Sequence, residues 1–319
     1  MRVLFAGLAS AGHTYPMVPL AIAARDAGHE VHFAAGEHVN ASLDRLGLNP
    51  FRPADSFYEI YAEDLEPELA RLRPDLVVHG WGVPEAAVAA RRAGIPALWH
   101  GVGRMFPDGI GFERPTGGVH VDICPPSLQD EAFLATAERI ALRPVPFAEP
   151  GPPARFERPL VYLTLGTAFG TPEVLGTAIE GLAALGSHVV VATGRVAPAD
   201  LGTLPGNVTA AAWVPQAAVL PIAALVVHHG GSGTTLGALA AGVPQLVLPQ
   251  GADQFANADA LCAAGAALRL LPGELSADAV TEQARKAPSL RDAARVVAEE
   301  IAAMPSPAEV ARELPKYAK

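Results

Sequence analysis

The chain has 319 residues, 50% of them hydrophobic, with 23 Lys+Arg against 33 Asp+Glu for a formal net charge of −10. That length favours two domains over one, and the apolar share supplies two cores and excludes a disordered chain. An acidic balance argues against nucleic acid as the main partner; two cysteines, Cys124 and Cys262, give neither a disulfide framework nor a zinc-ligand spacing, so a reducing cytoplasm fits.

Met1–Ala11 imitates a secretory leader, with one arginine and a short apolar run, but the pattern continues smoothly beyond it and reads as the first buried strand. Val3–Gly7 is apolar and bounded by glycine, as a strand covered on both faces should be. Pro16–Ala27 carries Met17, Leu20, Ala21 and Ala24 at helical spacing and stops at Gly28. Strands follow at Val31–Ala35, Leu76–Val78 and Ile95–Trp99, with a helix at Glu85–Ala93 closed by Gly94. This alternation implies parallel strands joined by right-handed crossovers, a doubly wound α/β sheet.

Residues 143–159 (RPVPFAEPGPPARFERP) hold six prolines, a density that no helix or central strand tolerates, and read as a semi-rigid spacer. The same grammar then restarts. Strands are expected at Leu160–Leu165, His188–Ala192, Val208–Ala212, Ala224–Val227 and Gln245–Leu248, with a helix at Pro172–Leu185. Ala210–Val227 is apolar enough to suggest a membrane span, yet Pro215, Gln216 and Pro221 interrupt it, so no anchor is expected. Pro307–Ala318 reads as a short closing helix. The expected organisation is an α/β domain over 1–143, a linker over 144–159, a second α/β domain over 160–306 and the closing helix over 307–319. Two such domains imply a cleft in which ligands bind.

The most informative stretch is Val226–Val243, VVHHGGSGTTLGALAAGV, where a buried strand runs through His228 and His229 into a glycine-rich turn and a helix. Glycines let backbone N–H groups approach a ligand closely, and a helix N-terminus attracts anions, so this turn suits a diphosphate. It is neither a Walker loop nor a GxGxxG fingerprint, and it also reads as a tight turn whose glycines serve packing. Asp253-Gln254 follows another strand and offers acceptors and donors for sugar hydroxyls; alone, Asp253 reads better as a helix N-cap before Phe255. Trp213-Val214-Pro215-Gln216 could stack an indole on a pyrimidine and read the base edge with the Val214 backbone, although a tryptophan at a turn is more often core. Gly12-His13-Thr14-Tyr15-Pro16 puts a histidine at a strand-to-helix turn, usable as a general base or held by loop backbone. His29-Glu30-Val31-His32 falls one residue short of HExxH and lies on a strand, and no Asp-x-Asp pair or GxSxG elbow occurs, so no metal site is expected.

Together, Gly12-His13-x-x-Pro16, Trp213-x-Pro215-Gln216, His229-Gly230-Gly231-Ser232-Gly233-Thr234 and Asp253-Gln254 resemble the family 1 glycosyltransferases, above all the actinobacterial enzymes that attach deoxysugars to natural products such as antibiotics. The resemblance spans nearly the whole chain and is strongest from Leu160 onward. It implies the GT-B fold, two Rossmann-like domains facing across a cleft. It also implies inverting transfer, without an essential metal or other cofactor, from a dTDP- or UDP-sugar to a hydrophobic small molecule. On that resemblance His13 is the general base, and His229, Gly231, Ser232, Gly233 and Thr234 bind the diphosphate. Trp213, Val214 and Gln216 contact base and ribose, Asp253 and Gln254 hold the sugar, and Thr167 is a weaker match near the phosphates.

The chain departs from the family pattern in three places. A ribose-gripping glutamate eight residues after His229 is replaced by Gly237, which favours dTDP over UDP. An aspartate that orients the catalytic histidine in relatives is replaced by His79-Gly80-Trp81. The acceptor-binding helices between Gly47 and Pro74 and between His100 and Pro144 look trimmed, leaving a pocket that is open or completed by a second copy of the chain, a homodimer. Two other readings fit these departures: a nucleotide-sugar epimerase of similar fold, and a catalytically degenerate nucleotide-sugar-binding helper subunit.

Overall fold

The computed structural model describes residues 1–53, 61–111, 113–147 and 160–318. Most of the proline-rich stretch, residues 148–159, lies outside the described residues. The chain divides into two units, Met1–Phe147 with Ala303–Lys319, and Ala148–Ala302.

The apolar runs of the first unit become strands β1 (Arg2–Ala6), β2 (Glu30–Ala34), β3 (Pro50–Phe51), β4 (Leu76–Gly80), β5 (Ala97–His100), β6 (Val119–Asp122) and β7 (Glu138–Ala141). They form a parallel sheet in the order β3-β2-β1-β4-β5-β6-β7. Helices α1 (Ala11–Thr14), α2 (Val18–Asp26), α3 (Glu37–Arg45), α4 (Ala62–Leu72), α5 (Pro84–Arg92) and α6 (Glu131–Thr136) occur between the strands. Leu4, Ala6 and Val77 pack with Leu65 and Leu69 of α4 and Ala86, Ala89 and Ala90 of α5. A second cluster gathers Trp81, Trp99, Met105, Phe106 and Phe133.

The second unit contains β8 (Leu160–Thr164), β9 (His188–Ala192), β10 (Val208–Ala211), β11 (Ala223–His228), β12 (Gln245–Val247) and β13 (Ala267–Arg269), parallel and ordered β10-β9-β8-β11-β12-β13. Its helices are α7 (Pro172–Ala183), α8 (Gln216–Val219), α9 (Ser232–Ala240), α10 (Gln254–Ala263), α11 (Ala277–Lys286) and α12 (Arg291–Ala303). Along β8, Val161 and Leu163 join one core with Leu175, Ile179 and Val280, while Leu160 and Tyr162 join another with Val219 and Ala238. This period of two, apolar on both faces, is what a sheet sandwiched between helices requires. The last helix, α13 (Pro307–Glu313), returns to the first unit and packs on α2.

Both sheets reverse strand order at one point, between β1 and β4 and between β8 and β11. In open α/β sheets the carboxyl ends of strands at such a switch point form a ligand crevice.

One expectation is corrected. The helix expected from Pro16 begins at Ala11: α1 passes through a tight 3-10 turn, Tyr15–Met17, into α2. Pro16 has no N–H to donate to the preceding turn, so the ladder tightens there instead of running through. Between Gly47 and Pro74 the described residues hold β3 and α4, and between His100 and Pro144 they hold β6, the short α6 and β7. No helix among the described residues is long and apolar enough to cross a membrane.

Candidate active site

In the second unit, β11 ends on His228 and the chain turns through His229-Gly230-Gly231 into α9. Gly230 has φ +94°, a conformation that suits glycine, and an added Cβ would stand 3.0 Å from the Gln254 carbonyl. The His229 ring fills the space beside two further glycines. A Cβ on Gly166, in the loop after β8, would lie 2.6 Å from His229 Cε1. The ring therefore bridges the loops on either side of the β8/β11 switch point. Burial pushes its pKa down to about 4 against an opposing backbone hydrogen bond at Thr164, so it is neutral at pH 7. Its Nδ1 is buried without a hydrogen-bond partner among the described residues.

Gly231 occupies the N-cap of α9 and has no side chain to spend on the first turn. The amides of Ser232, Gly233 and Thr234 thus begin a helix whose start carries partial positive charge, and an added Cβ on Gly233 meets nothing within 4 Å. Asp253 sits at the N-cap of α10, but its side chain makes no cap. Its carboxylate instead accepts from Ser232 Oγ at 3.3 Å and Asn257 Nδ2 at 2.9 Å, tying α10 to the first residue of α9. The N-cap role that the sequence alone favours is thereby corrected, because Ser232 and Asn257 compete for the same oxygen.

Gln254 is buried, and its Oε1 accepts from the Gln250 amide at 2.8 Å and the Gly251 amide at 3.2 Å. Gln216 opens α8 and donates to Thr234 Oγ1 at 2.9 Å, joining the loop after β10 to the same helix end. Val214 is buried, whereas Trp213 beside it is 52% exposed, so the expectation of a core tryptophan is also corrected. Thr167 is exposed in the loop after β8. Thr167, Trp213, Gln216, His229–Thr234 and Asp253-Gln254 accordingly all follow the carboxyl ends of strands in one sheet.

In the first unit, His13 lies in α1, directly after β1. Its Nδ1 is 2.8 Å from Ser10 Oγ, and a Cβ on Gly82, which follows β4, would stand 3.3 Å from its Cδ2. The ring thus sits over this sheet's own switch point. At the end of β4 and just beyond it, His79 and Trp81 are buried, His79 packing on Trp99 and Trp81 Nε1 donating to His120 Nδ1 at 3.2 Å. Burial lowers the pKa of His79 to about 4. Sequence reading singled out neither Ser10, Gly82, Gly166 nor Asn257. The available signals were the three-residue spacing from Ser10 to His13 and the four-residue spacing from Asp253 to Asn257. Among the described residues no group of three His, Cys, Asp or Glu side chains could hold a metal ion.

Comparison with known proteins gives concordant results. Residues 177–316 match the erythromycin biosynthesis protein CIII-like C-terminal domain. The elloramycin glycosyltransferase of Streptomyces olivaceus is 33% identical over an alignment of 380 positions covering 98% of this chain and 97% of that protein. The L-demethylnoviosyl transferase of Streptomyces niveus is 34% identical over 85% of each chain. Among solved structures, glycosyltransferase VinC in complex with dTDP superposes with a TM-score of 0.84 at 25% identity, covering 100% of this chain and 99% of that one. SnogD of Streptomyces nogalater superposes with a TM-score of 0.80 at 28% identity, with coverage of 100% and 99%. The chain belongs to the GT-B glycosyltransferases of antibiotic and natural-product biosynthesis.

Proposed function

We propose that the chain transfers a deoxysugar, with inversion, from a dTDP-sugar to a hydroxyl of a hydrophobic small molecule, His13 acting as general base. The observation that carries the reading is the start of α9: three amides without a side-chain cap beside a buried, neutral His229 whose Nδ1 has no partner among the described residues. Such a cradle stabilises negative charge without reorganising. Two solved relatives of at least 25% identity, VinC and the SsfS6 glycosyltransferase of Streptomyces sp. SF2575, are complexes with thymidine diphosphate, which supports the choice of nucleotide. Gly237, buried within α9, offers no acceptor to a ribose 2′-hydroxyl, which favours dTDP over UDP.

In the proposed step His13 takes the acceptor's hydroxyl proton as that oxygen bonds to the anomeric carbon from the side opposite the nucleotide. The anomeric C–O bond breaks, and its electron pair leaves with the diphosphate. The growing charge meets the Gly231–Thr234 amides and His229, Asp253 and Gln254 orient the sugar, and Trp213 stacks on the thymine; we propose that this needs no metal. Asp253, already tied to Ser232 and Asn257, would act through the oxygen capacity it has left.

A thermal-shift panel of dTDP, UDP, GDP and ADP tests the donor assignment. At 100-fold above its dissociation constant the true ligand should add about 2.7 kcal/mol of stability. The largest shift is expected with dTDP; a larger shift with a purine nucleotide would contradict the role given to Trp213.

A further inference from the structure

Ser10 occupies the N-cap of α1 with extended backbone, φ −152° and ψ 148°, where a serine normally bonds the amides of the first turn. It does not do so here. Its hydroxyl makes no cap and lies instead 2.8 Å from His13 Nδ1. Its carbonyl accepts from the His13 amide at 3.2 Å and the Thr14 amide at 2.9 Å. One residue therefore holds both the backbone and the ring of His13. The opposite edge of the ring lies beside Gly82, which has no side chain to crowd it: an added Cβ there would stand 3.3 Å from His13 Cδ2 and 3.4 Å from Leu8 Cδ2. The contact that orients the ring is therefore the one Ser10 makes at Nδ1, and the missing side chain at Gly82 leaves room for the ring in that orientation.

Resting on the reading of His13 as general base, we propose that Ser10 is the positioning residue that fixes its tautomer. His13 Nδ1–H donates to Ser10 Oγ, which leaves the lone pair on Nε2, the nitrogen that takes the acceptor's proton. Once that proton arrives, the imidazolium keeps its Nδ1–H bond to the hydroxyl, and the Nε2 proton passes to solvent after the nucleotide leaves. A hydroxyl orients the ring as a carboxylate does but adds no negative charge, so it selects a tautomer without raising the basicity of the ring as an ion pair would.

The test combines kinetics with 15N NMR of the histidine rings in the full chain, the His13 signals being identified by their loss in His13→Gln. Wild-type His13 should show a protonated Nδ1 and an unprotonated Nε2 at pH 8, and Ser10→Ala should show both tautomers mixed. In Ser10→Ala, kcat should fall by about 10- to 100-fold while KM for the dTDP-sugar stays within about twofold; Ser10→Thr, which keeps the hydroxyl, should recover most of the rate. Ser10→Asp adds the missing charge and should move the acid limb of the pH profile upward by about one unit. A wild-type spectrum with the proton on Nε2, or a Ser10→Ala enzyme with wild-type kcat while His13→Gln is inactive, would overturn the assignment to Ser10. An active His13→Gln enzyme would instead remove the general-base reading. If Ser10→Ala fails to fold, the wild-type spectrum alone decides.

Discussion

Two glycines of the second unit show what a single hydrogen in place of a methyl can do. At Gly231 a Cβ would stand 2.3 Å from His229 Nε2, whereas at Gly233 it would meet nothing within 4 Å. Gly231→Ala should therefore displace the ring or the turn, costing about 1–3 kcal/mol of stability and weakening dTDP binding at least about tenfold. Gly233→Ala should stay within about 1 kcal/mol of the parent stability. Thermal unfolding of the pair, with dTDP titrated by calorimetry, checks both; equal losses would remove the steric account. Asp253 makes a different kind of case, since its carboxylate joins Ser232 and Asn257 rather than capping its own helix. Asp253→Asn keeps the shape but not the charge. It should lower sugar transfer while leaving the affinity for dTDP, which lacks a sugar, within about threefold, given that a hydrogen bond to a charged group contributes about 1.5–3 kcal/mol.

At the scale of elements, three central strands carry buried histidines at or next to their carboxyl ends: His79 is the last but one residue of β4, β5 ends at His100 and β11 ends at His228. Burial drives their pKa values to about 4, about 4 and about 3, with His229 lowering His228 further. The folded pKa lies below the unfolded value near 6.5, so the folded state holds these rings neutral. Their contribution is complete above pH 6.5 and is lost as pH falls toward 4, at up to about 1.4 kcal/mol per pH unit for each ring. Denaturant melts at pH 7.5 and pH 5.0 should therefore differ by more than about 2 kcal/mol, the acid sample being weaker. Equal midpoints would show these rings to be hydrated or charged. The start of α9 bears on metal dependence in the same way: because amides and His229 meet the diphosphate in the proposed step, turnover should persist in excess EDTA. Loss of activity restored by a divalent ion would contradict that part of the proposal.

At the scale of the whole molecule, most of the architecture was readable because buried parallel strands are short, apolar and punctuated by glycine, as Val3–Gly7 and Val226–Gly230 are. The edges were harder. Glu138–Ala141 is partly exposed and polar, so β7 carries no apolar run to mark it, and β3 is two residues long. The loops that line the site were legible as motifs, since His229–Thr234 and Asp253-Gln254 follow strands in sequence. The direction of individual side chains was not. Nothing local says that Trp213 is exposed, that Asp253 turns to Ser232, or that Ser10 leaves its cap for His13, because each depends on a residue brought near by the fold. The chain also aligns with its elloramycin relative over 380 positions while itself having 319 residues, so part of what relatives carry has no counterpart here. The most direct measurement of the account is turnover of a dTDP-deoxysugar with a panel of hydroxylated aglycones, read by mass spectrometry for wild type and His13→Ala side by side. The account predicts one glycoside formed per dTDP released by the wild type, and none by the variant although it still binds dTDP. Equal turnover by both, or failure of either to bind dTDP, would contradict it.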